Sequence, residues 1–186
     1  MRLPLFCLAL VGAATMFLGG CSTAPTTDTG RNELHNDSDA ALNDFKAQDP
    51  SLDNLLHNSF GYVIFPTVGK GAVGVGASYG QGEVCQQGKC VGYADITGAT
   101  VGASLGGQTY AELIVLRTPE AMQKFQSGQY TFTADASAAA IKAGASDNAK
   151  WANDVAVFVN VKGGLMADAA VGGQKFNFTS EQKTQQ

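Results

Sequence analysis

Between Gly69 and Gly107 glycine recurs at intervals of one to six residues (Gly69, Gly71, Gly74, Gly76, Gly80, Gly82, then Gly88, Gly92, Gly98, Gly102, Gly106 and Gly107), with Val, Ala, Tyr and Ile between. No other feature constrains the fold as much. An interior glycine costs a helix about 1 kcal/mol relative to alanine, whereas a sheet uses it at bulges, bends and close backbone approaches. The stretch therefore predicts a twisted antiparallel meander. Near its middle, Val84-Cys85-Gln86-Gln87-Gly88-Lys89-Cys90-Val91 sets two cysteines about a polar four-residue loop, which reads as a hairpin pinned by a disulfide between Cys85 and Cys90.

The amino terminus reads as an address. Arg2 precedes a run from Leu3 to Phe17 that is mostly apolar but too short to span a bilayer, and Leu18-Gly19-Gly20-Cys21 puts small residues before a cysteine. It resembles a bacterial lipobox, which implies removal of residues 1–20 and acylation of Cys21; the rival reading is an ordinary signal peptide whose cleavage site happens to precede a cysteine. Ser22 rather than aspartate follows, which in bacteria that sort by this residue implies the outer membrane, with the domain in the periplasm. Cysteine usage agrees: with Cys7 removed and Cys21 lipidated, Cys85 and Cys90 are an even pair for an oxidising compartment. No metal site is expected from the pair, because no second pair of cysteines and no nearby histidine follows to complete a tetrahedron.

Charge excludes some partners. The formal net charge is −4, and the acids crowd between Asp28 and Asp53 (Asp28, Glu33, Asp37, Asp39, Asp44, Asp49, Asp53) against Arg31 and Lys46. From Asn54 onward acids and bases balance, so there is no basic stripe and nucleic acid is not an expected partner. Residues 21–37 read as the lipidated cysteine and a flexible tether, 38–180 as one domain, and 181–186 as a polar tail. Within the domain, Ser38 is expected to cap a short helix carrying Ala41, Leu42 and Phe45. Asp49-Pro50 is expected to open a second with Leu52, Leu55, Leu56 and Phe60 on one face. That face packs on a sheet or lies on lipid, and the surrounding acids argue against lipid.

Strands are expected at Gly61 to Phe65, ended by Pro66, and at Gly71 to Tyr79, Val91 to Ile96, Ala99 to Leu105 and Ala111 to Leu116. Further strands are expected at Tyr130 to Thr133, Val155 to Val161, Leu165 to Val171 and Lys175 to Phe178, while Ala134 to Ala145 suits a helix or a tightly packed strand or loop. Thr118-Pro119-Glu120 starts a helix that buries Met122 and Phe125 and ends at Gly128. The expected fold is α+β: a single domain with a glycine-rich antiparallel sheet, barrel-like closure being one option, packed with short helices. Ser104-Leu105-Gly106-Gly107-Gln108 and Ala170-Val171-Gly172-Gly173-Gln174 hint at two related hairpin layers.

Catalytic patterns are missing. Gly82 to Lys89 has the wrong spacing for a phosphate-binding loop and puts Cys90 where Ser or Thr is needed. The histidines, His35 and His57, lie in the helical region, and the two Gly-x-Ser-x-Gly matches, around Ser78 and Ser104, fall in expected strands and not at a strand-to-helix elbow. Asp95, Asp135 and Asp168 read as turn or hydrogen-bonding acids. No enzyme activity and no cofactor are expected.

Phe65-Pro66-Thr67-Val68-Gly69-Lys70-Gly71, Gly102 to Gly107, Phe132-Thr133-Ala134-Asp135-Ala136-Ser137 and Val159-Asn160-Val161-Lys162-Gly163-Gly164-Leu165 occur in the order seen in SYLF domains. From Leu55 to Phe178 the chain resembles a bacterial lipoprotein of that family. The resemblance implies a non-enzymatic lipid-binding domain, since eukaryotic relatives bind phosphoinositides and other anionic lipids and some join actin or endocytic machinery. In a bacterial envelope it implies phosphatidic acid, phosphatidylglycerol or cardiolipin. Cys90 stands where relatives commonly have tryptophan, and Phe178-Thr179-Ser180 replaces an aromatic pair and glycine. Lys70, Lys89 and Lys162 each abut glycine in or beside an expected turn, and are the candidate contacts to anionic phospholipid. The alternative is a structural or protein-interaction envelope lipoprotein, its partner unspecified, that uses lipid only as its anchor.

Overall fold

The computed structural model describes residues 24–129, 131–133, 138–140 and 142–181, without the side chains of 104, 131–139 and 165–172. Cys21 and Asp135 lie outside the described residues. The order is α1 (Asp28–Gln48), α2 (Leu52–His57), β1 (Gly61–Gln86), β2 (Lys89–Leu116), α3 (Pro119–Gln126), β3 (Thr131–Thr133), β4 (Ala138–Ala140) and β5 (Val155–Ser180). All strands form one sheet in the order β1-β2-β5-β3, with β4 also on β5. Pairing is antiparallel except for β4, which runs parallel to β5 opposite Val157 to Val159. The fold is thus α+β, as expected, and the sheet is not closed into a barrel.

The strands expected separately are continuous. β1, β2 and β5 run for 26, 28 and 26 residues, and each doubles back near its middle. In β1, a Cβ on Gly76 would stand 2.9 Å from that of Ala72, although four residues of straight strand span about 13 Å. Beyond this crease the two halves of β1 lie against each other. A Cβ on Gly61 would be 2.5 Å from the Cys85 carbonyl oxygen, and one on Gly80 would be 2.8 Å from that of Thr67. Glycine is required at these positions because backbone packs directly on backbone. At the crease itself Gly74 has φ 73°, a left-handed conformation that glycine adopts without strain. Pro66 does not end the strand: it sits where the β1–β2 register shifts between Phe65 and Val68. β1 is the edge of the sheet, where a missing N–H is tolerated.

The folded sheet is a wedge, closed along β1 and filled toward β5. Its interior holds Val63, Phe65, Val68, Val84, Ala94, Ile96, Ile114, Leu116, Val155, Val157 and Phe176 from both halves, together with Ala121, Met122 and Phe125 of α3. Phe176 packs on Phe65 and Phe125 with ring centroids 5.9 and 5.3 Å apart. α3 begins as expected, with Thr118 Oγ1 accepting from the Ala121 amide and proline at the first turn. A second core lies on the outer face of the first half. There Ile64, Ala111, Leu113, Val115, Ala156 and Phe158 are covered by Ala41 and Phe45 of α1, by Leu52 of α2 and by Ala145.

α1 is longer than expected. It starts at Asp28 inside the segment read as a tether, with Thr27 Oγ1 accepting from the Gly30 amide at 3.1 Å. Ser38 is a buried mid-helix residue on the face with Leu34, Ala41 and Phe45, not a cap. The helix meets the outer side of both halves of β1, through His35 on Glu83 and through Phe45 in the core with Ile64, so it shields the closed edge.

Asp49 ends α1 and fixes the turn after β4. Its Oδ1 accepts from the Ser51 amide (3.1 Å), Ser51 Oγ (2.6 Å) and the Gly144 amide (3.2 Å), and its Oδ2 from the Ser146 amide (2.6 Å). Burial alone would push this carboxyl up, but the hydrogen bonds from Ser51, Ser146 and Gly144 outweigh it and hold it well below the usual carboxylate range.

Candidate functional site

The crease gives the molecule an apolar end. Along β1 and β2 around it, side chains on the concave side are small, because the halves converge there: Ala72, Gly76 and Thr100 are buried. The alternate side chains must face outward, and five of them are large. Val73 is 80% exposed and pairs with Leu105 (66%), and Val75 (66%) pairs with Val101 (68%); Tyr79 follows on the same face of β1. Isolated exposed apolar residues are ordinary, but two adjoining cross-strand pairs are a patch.

Two of the three candidate lysines border this end. Lys70 pairs with Gln108, which pairs with Gly164 on β5; one step along, Gly69, Thr109 and Gly163 form the next row. Lys162 is the extra residue of the irregularity between Thr109 and Tyr110. At the strand spacing of a sheet, Lys70 and Lys162 flank β2 at a backbone separation of about 10 Å. Lys162 is exposed and Lys70 half-buried. Lys89 is elsewhere: it pairs with Gln86 beside the hairpin turn, and the Gln87 amide donates to the Phe60 carbonyl at the start of β1. This is the end of the wedge opposite the crease. Among the charged residues of 69–80, 97–109 and 162–175 are Lys70, Lys162 and Lys175 against Asp168, a local balance of +2 in a chain of net charge −4.

Cys85 and Cys90 form the expected disulfide across this hairpin. Next to it is a cleft of about 360 Å³ lined by Asp28, Arg31, His35, Glu83, Tyr93 and Glu181 among others. His35 Nδ1 lies 3.2 Å from Glu83 Oε2, and Nε2 lies 3.7 Å from Asp39 Oδ2. The hydrogen bond to Glu83 and its charge raise the His35 pKa above the ordinary histidine value. Sequence reasoning assigned His35 no role, since its nearness to the hairpin depends on where α1 lies. His57 is exposed at the end of α2.

A polar group is also buried inside the wedge. Glu112 is 1% exposed, with Oε2 accepting from Gln174 Nε2 at 3.1 Å and Oε1 without a hydrogen-bond partner among the described residues. Burial pushes its carboxyl up to about 7, against the stabilising bond from Gln174. Beside it, burial and then the Glu112 charge push the Tyr110 hydroxyl up to about 12. A lone carboxyl facing an amide and a phenol is a structural cluster here. Asp95 is buried on β2, and Asp168 sits in register with Ser104 at the crease.

No curated protein matches the chain significantly. Residues 97–185 match the family Ysc84, described as Las17-binding protein actin regulator, a match that runs from the middle of β2 through β5 and supports assigning this chain to the SYLF-domain proteins.

Proposed function

We propose that this protein is a non-enzymatic lipid-binding module of the bacterial cell envelope, tethered by acylated Cys21 to the periplasmic face of the outer membrane. On this reading it rests the crease of its sheet on anionic phospholipid. The observation that carries the proposal is the exposed apolar crease of Val73, Val75, Val101 and Leu105 with Lys70 and Lys162 beside it. An apolar ridge bordered by cations suits the boundary between acyl chains and phosphate, and the local positive balance opposes the charge of the rest of the chain. The family match is consistent with lipid binding and equally with an actin-regulating or other protein-binding role.

The test uses the chain carrying Cys21→Ser, so that no acyl anchor contributes, with vesicles of phosphatidylglycerol and phosphatidylcholine. Each lysine near an anionic surface contributes about 1 kcal/mol, so Lys70→Ala with Lys162→Ala should weaken binding roughly thirtyfold at low salt and less at high salt. Val73→Ser with Leu105→Ser should weaken it at every salt concentration, and Lys89→Ala should change little. A chain that ignores these vesicles altogether would instead favour the anchored protein-interaction lipoprotein.

A further inference from the structure

The cleft between α1 and the β1–β2 hairpin brings together donor atoms that are far apart in sequence. The side-chain donor atoms of His35, Glu83 and Cys90 all lie within 4.8 Å of one another. The Cys85 sulfur adjoins this cluster, bonded to that of Cys90. While the disulfide stands, neither sulfur is a thiolate and the pair cannot ligate a metal. Reduction would leave an imidazole, a carboxylate and the Cys90 thiol together with the Cys85 thiol beside them, and their backbones are held independently: α1 carries His35, β1 carries Glu83 and Cys85, and β2 carries Cys90.

We propose that reduction of the Cys85–Cys90 disulfide creates a site for a borderline-soft divalent cation of the zinc class, ligated by Cys85, Cys90, His35 and Glu83. Two sulfurs, one nitrogen and one oxygen form the tetrahedral kind of donor set that zinc takes in proteins. Metal–ligand bonds of about 2.0–2.3 Å put tetrahedral donors roughly 3.3–3.8 Å apart, so closing the His35, Glu83 and Cys90 donors from 4.8 Å needs about an ångström of movement, with Cys85 swinging in once its bond to Cys90 is broken. The half-exposed side chain of His35 can supply it. With Nδ1 toward Glu83 and the metal, Nε2 faces the Asp39 carboxylate, an outer partner that orients a ligating imidazole. The cleft's acids, Asp28, Glu83 and Glu181, outnumber Arg31, and Arg31 is itself paired with Asp28.

The chemistry balances with a dithiol as reductant. Its two thiols lose two protons and two electrons and close to a disulfide, and the Cys85–Cys90 bond accepts them to give two thiols. The incoming cation then displaces one proton from each, and His35 ligates as the neutral imidazole. The site is therefore metal-binding only when reduced.

The experiment titrates Co²⁺ into the full-length chain after dithiol reduction and anaerobic removal of the reductant, following the thiolate-to-cobalt absorption in the near ultraviolet. Its displacement by Zn²⁺ is then measured. Reduced protein should show the band and oxidised protein should not. The variant Cys85→Ser with Cys90→Ser keeps Cys7 and Cys21 and sets the background. His35→Ala, a change on a half-exposed helix position, should weaken the reduced site by more than about tenfold, since loss of even an outer partner costs that much. The proposal fails if the reduced chain binds no more cobalt than the double variant, or if reduced His35→Ala titrates like the parent. It also fails if oxidised and reduced protein bind alike, or if circular dichroism shows that the chain unfolds on reduction.

Discussion

Gly82 packs face to face on Ile64, a residue of its own strand: a side chain at 82 would run into the Ile64 carbonyl oxygen and stand 2.7 Å from the Phe65 ring. Two parts of one strand pressed together in this way define the closed edge of the wedge. Gly82→Ala should therefore force the halves apart and destabilise by about 2 kcal/mol, the usual cost of overpacking, lowering Tm by roughly 4–8 °C. Gly71→Ala is the control, because no atom of the described residues lies within 4 Å of a Cβ there and φ is not positive. Thermal melts of the two variants should differ accordingly, and equal melting would mean the halves do not touch.

Asp49 should make the fold sensitive to acid. Its folded pKa lies below the ordinary carboxylate value, so the stability it contributes is present above about pH 4 and is lost as pH falls toward the folded value. Asp49→Asn keeps the shape but presents an N–H₂ group to backbone donors, and should cost about 2–3 kcal/mol at pH 7. Urea titrations from pH 7 to pH 3 should show the parent converging on the variant as the pH drops.

Glu112 has the opposite sign. Its folded carboxyl is pushed up to about 7 from 4.5, so the folded state holds the proton more tightly than the unfolded one, and stability falls as pH rises from about 4.5 through 7. Glu112→Gln, still able to bond Gln174, should remove that slope and be the more stable protein at pH 8. The difference should be on the order of 3 kcal/mol as an upper bound. Melts at pH 5 and pH 8 test it, and a parent protein whose stability is flat between them would exclude a neutral carboxyl in the core.

The disulfide should matter for stability. Cys85→Ser with Cys90→Ser removes a constraint on a short loop and should cost about 2 kcal/mol while the far-ultraviolet spectrum stays sheet-like. A mass measurement of the untreated protein should find Cys85 and Cys90 two hydrogen atoms lighter than the free thiols.

The glycine spacing was enough to read an antiparallel, glycine-rich sheet, and Thr118-Pro119 was enough to place α3. What spacing could not reveal is that Gly61, Gly80 and Gly82 serve contacts within one strand. Alternation reports only which face a residue occupies, and a doubled strand keeps its alternation through the crease. Pro66 misled because its meaning depends on β1 being an edge. Thr27 was missed as a cap because the first turns of α1 bury little before Leu34. Of the candidate lysines, the glycine beside each was visible, but which of them border the exposed Val73–Leu105 pair depends on register. Likewise, the stretch Ala138–Ala140 was ambiguous because its short parallel strand is held by β5 alone.

The doubling of β1, β2 and β5 also determines how the chain can reach this state. Neither layer can form from a contiguous piece of sequence, since each takes half of all three strands, and β5 pairs with β2 across separations such as Leu116 to Val155 and Gly92 to Ser180. Closing the β1–β2 hairpin is the local step, zippering outward from the turn at Gln87 and Gly88. Everything after it requires the last strand to find its place along the whole length of the hairpin. Folding dominated by such distant pairings is slow, on the order of milliseconds to seconds. Until β5 arrives, the hairpin exposes a long unpaired edge along β2, which makes that interval the one in which the chain is most open to pairing with another copy of itself.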